Sequence, residues 1–261
     1  MHSEFIDPIQ TQRWPTLCDY AILDQEQIDP GKIAGRVFCP THRLLEFFQI
    51  LVKLDTQITL LSSQLHGTPH SDYNVHQAYL DRAPWPKIEH WYARNLLVED
   101  LMVSPLPIGI LVNRAKLQFM QETYGKGEKR MRLYANFEIN SNHGERDVAH
   151  SFAKRFPGAK VLPGDRHYAS FQEYILDVRD SRYVLCPPGS GLDTWRLWET
   201  LYMGSVPIVK RSPMTEYYAD LYPMVLIDFW EELLDLPPAS VPEGDYRKRL
   251  SMGFWKDLIC A

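Results

Sequence analysis

Between Arg36 and Ile227 short apolar runs alternate with longer amphipathic stretches, and that alternation limits the chain to few architectures. The runs are Arg36-Val-Phe-Cys39, Ile58-Thr-Leu-Leu-Ser62, Leu101-Met-Val-Ser104, Arg132-Leu-Tyr-Ala-Asn136, Ala159-Lys-Val-Leu162, Arg182-Tyr-Val-Leu-Cys186, Val206-Pro-Ile-Val209 and Met224-Val-Leu-Ile227. Between them, residues 44–52, 88–97, 114–124, 145–156, 171–178 and 193–203 carry apolar side chains at helical spacing. Strands this short and this apolar on both sides have no face to give to water. The order predicts an α/β protein with parallel sheets covered by helices. The first thirty residues read as an irregular leader with one short strand near Tyr20–Leu23, and Asp245–Ile259 as a terminal helix.

Pro105-Leu-Pro-Ile-Gly109 is too rigid to continue a strand or a helix, so the alternation divides there. Residues 1–109 form a first Rossmann-like half, 110–130 a linker helix with the polar hinge Gly125-Lys-Gly-Glu-Lys-Arg130, 131–242 a second Rossmann-like half, and 243–261 a terminal helix packing back on the first half. A length of 261 residues suits two such halves with parallel sheets facing a cleft. With 28 basic and 33 acidic residues the net charge is −5, which leaves no global basic field for nucleic acid or an anionic membrane surface. Cys18, Cys39, Cys186 and Cys260 are scattered, without zinc spacing, and read as reduced thiols. The opening Met1-His-Ser-Glu-Phe-Ile-Asp-Pro8 lacks a secretion pattern and no stretch is apolar enough for a membrane span, so the expected location is cytoplasmic.

One segment concentrates the chemistry: Tyr183-Val-Leu-Cys-Pro-Pro-Gly-Ser-Gly-Leu-Asp-Thr-Trp-Arg-Leu-Trp-Glu-Thr-Leu-Tyr-Met-Gly-Ser-Val-Pro-Ile-Val209 reads as strand, tight loop, helix, glycine stop, strand. Gly189, Ser190 and Gly191 let a ligand approach the backbone, and the helix start behind them favours phosphate oxygens. Asp193, Arg196 and Glu199 follow at i, i+3 and i+6, so one polar edge is expected there. Arg196 suits a charge-assisted contact to phosphate or base, and Glu199 suits two ribose hydroxyls; the alternative is a solvated Arg–Glu pair. Asn136 and Arg146, at the end of one strand and the start of the next helix, are placed to meet phosphates from the other side.

The run from Leu185 to Val209 resembles the nucleotide-sugar-binding segment of exostosin-like glycosyltransferases. Trp91-Tyr-Ala-Arg-Asn95, Pro105-Leu-Pro-Ile-Gly109, Leu133-Tyr-Ala-Asn-Phe137 with Arg146, and Ser71-Asp72-Tyr73 resemble further elements of short members. The resemblance implies GT-B architecture, a UDP-sugar donor in the second half, a glycan acceptor on the first, and no obligatory metal. Family donors include UDP-glucuronate, UDP-N-acetylglucosamine, UDP-galactose and pentose donors such as UDP-xylose. No Asp-x-Asp pair occurs to hold a divalent ion on a diphosphate, in agreement with metal-free donor binding. Gly191 occupies the position where many retaining GT-B enzymes carry a second glutamate, eight residues before the ribose glutamate, which favours inversion.

An inverting transfer needs a general base from the acceptor side. The polar segment Gln64–Tyr73, at the end of the Ile58–Ser62 run, offers Asp72, His70 and His66; Asp72 is favoured, His70 second. A non-catalytic nucleotide-sugar or carbohydrate-binding module and a retaining transferase remain the competing readings. A nicotinamide-dependent oxidoreductase is disfavoured, because the glycine loop follows a late strand and does not spell G-x-G-x-x-G.

Overall fold

The computed structural model describes residues 6–23, 25–64, 74–164, 170–236 and 246–260. In the first half the elements run β1 (Tyr20–Ala21), β2 (Gly35–Pro40), α1 (Leu44–Leu51), β3 (Ile58–Ser63), α2 (Gln77–Leu80), β4 (Ile88–Ala93) and β5 (Val103–Pro105), followed by the linker helix α3 (Arg114–Thr123). The second half continues with β6 (Met131–Ala135), α4 (His143–Arg155), β7 (Ala159–Val161), α5 (Phe171–Arg179), β8 (Ser181–Leu185), α6 (Trp195–Tyr202), β9 (Val206–Lys210), α7 (Pro213–Ala219) and β10 (Val225–Ile227). Two helices close the described chain, α8 (Tyr246–Arg249) and α9 (Met252–Cys260). The protein is thus α/β, with two five-stranded sheets among the described residues, parallel in every pairing.

The first sheet has the order β1-β2-β3-β4-β5. Right-handed crossovers in an unreversed order put all connections on one face. That face carries Leu44, Phe47, Phe48 and Leu51 of α1 against Val37, Leu60 and Trp91. The opposite face, Phe38, Leu61 and Tyr92, is left for other parts of the chain. It is covered by the 3-10 turn Thr11–Leu17 and by α9, whose Trp255 meets Trp14 edge-on at 6.3 Å. Tyr92 donates to Leu258 O at 3.3 Å, tying α9 to β4.

One element differs from its expectation in kind. Ile88–Leu97 was expected as a helix, and residues 88–93 form strand β4, with Trp91 beside Leu60 and Tyr92 beside Leu61. Ile88, Trp91, Tyr92 and Leu96 satisfy helical spacing as well as a strand buried on both faces, and only the neighbouring strands decide between the two. The helical crossover into β4 is the short α2. The terminal helix divides into α8 and α9, and helix α6 starts at Trp195 rather than Asp193, because the Thr194 hydroxyl caps it by accepting from Leu197 N.

The second sheet has the order β10-β9-β8-β6-β7. The chain leaves β6 to one side for β7 and returns to the other for β8, so the order reverses between β6 and β8. In an open parallel sheet, a crevice forms beyond the carboxyl ends of the strands at that reversal. Asn136 and Phe137 follow β6 there, and the loop Cys186–Gly191 follows β8. Among the described residues no helix is long and apolar enough to cross a membrane.

Candidate functional site

The crevice is built on the ring of Phe137. The Arg146 guanidinium lies 5.7 Å from its centroid and that of Arg196 5.9 Å. Two cations therefore share one aromatic platform, and neither is ion-paired among the described residues. Arg146 donates from Nε to Pro188 O at 2.9 Å, from Nη2 to Pro187 O at 3.4 Å, and from Nη1 to Glu138 O at 2.8 Å and to the Ser141 hydroxyl. Asn142 Nδ2 adds a bond to Gly189 O at 3.2 Å. The side chain of Arg146 thus straps the β8 loop to the start of α4. Burial, then repulsion from Arg196, pulls its guanidinium down to about 10 from the usual arginine value.

Arg196 is less occupied. Its Nε is buried and has no hydrogen-bond partner. Nearby, Asn136 is buried, donates from Nδ2 to Tyr134 OH at 2.9 Å, and keeps its Oδ1 unpartnered. Unpaired buried polar atoms cost free energy, and a bound polar ligand removes that cost.

Glu199, one turn along α6 from Arg196, is buried and accepts Tyr174 OH on Oε2 at 2.6 Å. Burial raises its carboxyl above the usual range, while the Tyr174 hydroxyl, Arg196 and Lys116 pull the other way. Lys116 comes from α3 and sits 4.7 Å above the ring of Phe171. The linker helix therefore contributes a cation to the same region. Tyr174, Phe171 and Lys116 carry no motif, and only the packing of α3 against α5 and of α5 against α6 brings them to Glu199.

The glycines of the loop answer to neighbours inside the protein. A Cβ on Gly189 would lie 2.6 Å from Arg146 Nη2, and one on Gly191 would lie 2.6 Å from Asn95 Nδ2. Ser190, between them, is exposed. Asn95 itself has a left-handed backbone (φ 52°), which asparagine tolerates better than most residues. Its Oδ1 accepts Asp193 N at 2.9 Å, so the end of β4 meets the β8 loop and the carboxyl edges of the two sheets adjoin there.

Asp193 precedes α6 and does not share a line with Arg196 and Glu199. Its Oδ2 accepts Ile108 N at 2.8 Å and its Oδ1 accepts Trp198 Nε1 at 2.7 Å, both buried. It joins the halves instead of facing the open crevice. Arg94 and Tyr218 lie close enough to Asp193 to interact with it electrostatically, and Arg94 Nε and Tyr218 OH have no hydrogen-bond partner. Burial lifts the Asp193 carboxyl to about 6 from 3.8, against the pull of Ile108 N, Trp198 Nε1 and Arg94. The folded state therefore holds this proton more tightly than the unfolded chain, and the resulting stability is complete below about pH 4 and lost as pH rises through 6. Between pH 7 and pH 4 the stability of the wild type should rise relative to Asp193→Asn by roughly 2 kcal/mol. Urea unfolding of both proteins across that window measures it; parallel pH profiles would contradict the burial of an ionisable Asp193.

Asp72, His70 and His66 lie outside the described residues. The flanks of their segment are placed: Gln64 O accepts Arg94 Nη1 at 3.4 Å, and Val75 N donates to Asn95 O at 3.1 Å. The Val75 flank therefore sits beside Asn95, which touches the β8 loop, and the Gln64 flank beside Arg94, the preceding residue. Lys210, the last residue of β9, and Arg211 after it are engaged elsewhere, with Lys210 Nζ on Asp228 O and Arg211 paired with Glu216 and Asp228.

No protein-family model matches the chain, and no curated protein matches it. Among solved structures it is similar to the spinosyn rhamnosyltransferase SpnG, at 14% identity and a TM-score of 0.43, over 86% of this chain and 68% of that one.

Proposed function

We propose that this chain is a glycosyltransferase of the exostosin-like kind with GT-B architecture, moving a hexose or a pentose such as xylose from a UDP-sugar to a glycan hydroxyl, with inversion and without a required metal. The observation that carries the reading is the pair of guanidiniums on Phe137 at the sheet reversal, with an unpartnered Arg196 Nε and an unpartnered Asn136 Oδ1 beside them. Two like charges held together in a buried crevice call for an anion of more than one charge, and a nucleoside diphosphate supplies it. Arg196 and the exposed tip at Ser190 take the diphosphate, while Arg146 keeps Gly189 and the loop in shape behind it. Glu199 accepts from the ribose through Oε1, which makes no hydrogen bond among the described residues.

In the transfer, the acceptor oxygen bonds to the anomeric carbon as that carbon's bond to the β-phosphate oxygen breaks. The acceptor proton passes to Asp72, with His70 and His66 as alternatives, and Arg196 stabilises the charge that grows on the departing diphosphate. The position of the segment's flanks, Gln64 on Arg94 and Val75 on Asn95, supports a base from this segment. Asn95 against Gly191 leaves no room for a glutamate there, which supports inversion.

A panel of UDP-sugars, each incubated with the protein in EDTA and followed by UDP release, tests the reading. Release from at least one donor is expected, with acceptor-dependent product of inverted configuration. UDP binding without release from any donor would make the chain a binding module. Activity lost in EDTA and restored by manganese would overturn metal independence.

A further inference from the structure

The glycine loop after β8 is held from two sides. From the second half, Arg146 Nη2 lies 2.6 Å from the place a Cβ on Gly189 would take, and Asn142 Nδ2 donates to Gly189 O at 3.2 Å. Gly189 N donates across the loop to Gly191 O at 3.0 Å, which leaves Ser190 at the tip. From the first half, Asn95 brings Nδ2 to 2.6 Å from the place a Cβ on Gly191 would take. Among the described residues Asn95 is the only non-glycine with a left-handed backbone, and it is buried. Its neighbours impose that conformation: Arg94 N donates to Ser62 O at 2.9 Å, and Asn95 O accepts Val75 N at 3.1 Å. A residue held in a sparsely populated conformation by the contacts around it is a feature of functional sites.

The orientation of the carboxamide follows from its partner. A backbone N–H donates only to an acceptor, so the atom that takes Asp193 N at 2.9 Å is Oδ1, and the atom facing Gly191 is Nδ2. Nδ2 makes no hydrogen bond among the described residues. Two N–H donors of the first half therefore stand unused against the loop of the second.

We propose that Asn95 is a donor-binding residue contributed by the first half, its Nδ2 donating to the β-phosphate of the nucleoside diphosphate. The assignment rests on the donor reading given above. With the ribose at Glu199 and the sugar turned toward the acceptor, the β-phosphate is the phosphate nearer the first half, and Asn95 is a first-half side chain that already reaches the loop. The bond to Asp193 N fixes the carboxamide beforehand, so little side-chain freedom is lost on binding. A donor in the crevice is then gripped by both halves, by Arg196 from one and Asn95 from the other.

The test compares Asn95→Asp and Asn95→Gly with the wild type in calorimetric titrations with UDP and with UMP, which lacks the β-phosphate. Both replacements tolerate a left-handed backbone. Aspartate keeps an oxygen for Asp193 N and puts a second oxygen in place of the donor, whereas glycine removes the side chain altogether. Each variant should bind UDP about 10–100-fold more weakly, the range of a hydrogen bond to a charged group, with UMP affected far less. Urea unfolding of each verifies the fold. Weakening in Asn95→Asp alone would reduce the effect to charge repulsion and overturn the contact. Equal weakening toward UDP and UMP would mean that Asn95 only shapes the loop, and would overturn it as well. Unchanged UDP binding in both variants would overturn the assignment of Asn95 and leave the donor reading standing, whereas a wild type that binds no UDP would overturn both.

Discussion

Arg196→Ala should bind UDP about 10–150-fold more weakly than the wild type and should unfold at the same denaturant concentration or a slightly higher one. The first part follows from the loss of a charged hydrogen-bond donor to phosphate, worth about 1.5–3 kcal/mol. The second follows from the geometry without ligand. Arg196 Nε has no partner to lose, and removing its charge relieves the repulsion that adds to burial in depressing Arg146. A side chain kept for stability would behave in the opposite way. Thermal-shift titrations with UDP, set beside urea unfolding of both proteins, separate the two effects. Unchanged nucleotide affinity with reduced stability would make Arg196 a structural residue and empty the crevice of its proposed role.

The largest expected loss of stability is at Trp198. This side chain is fully buried, meets Tyr218 and Tyr222 edge-on at 5.1 and 5.3 Å, and donates the hydrogen bond that Asp193 Oδ1 receives. Trp198→Ala leaves a cavity among these rings and should cost about 3–5 kcal/mol. Trp198→Phe keeps most of the volume and loses chiefly the hydrogen bond to a buried carboxylate, so it should cost about 1–3 kcal/mol. Chemical denaturation of the two variants checks the order. Equal effects would mean that the hydrogen bond to Asp193 carries the energy and the ring packing little of it.

Much of the architecture is legible in the amino-acid order because parallel strands covered on both faces leave a simple trace: short apolar runs separated by amphipathic ones. That trace fails where a strand also satisfies helical spacing. Ile88–Ala93 is such a case, since its burial comes from lying between β3 and β5 with α1 on one face and α9 on the other, and not from any local signal. At the crevice, the glycine loop with Arg196 and Glu199 behind it stands out from spacing alone. The i, i+3, i+6 arithmetic breaks at Asp193 because Thr194 starts the helix later, and a residue before the cap is free to turn toward the other half. The Phe137 platform shared by two arginines, the Tyr174 bond to Glu199 and the reach of Lys116 from the linker are consequences of tertiary packing. The same holds for the glycines: their spacing announces a close approach, and the structure shows that Arg146 and Asn95 make it.

The most direct test of the account is a calorimetric titration of the wild-type protein with UDP in EDTA, with GDP, ADP and CMP as comparators. The predicted result is saturable one-to-one binding of UDP, tighter than that of the other nucleotides, and its marked weakening in both Arg196→Ala and Glu199→Ala. Absence of heat and of thermal stabilisation with every nucleotide, or equal UDP binding by wild type and both variants, would contradict the claim that the crevice between β6 and β8 holds a nucleotide-sugar donor.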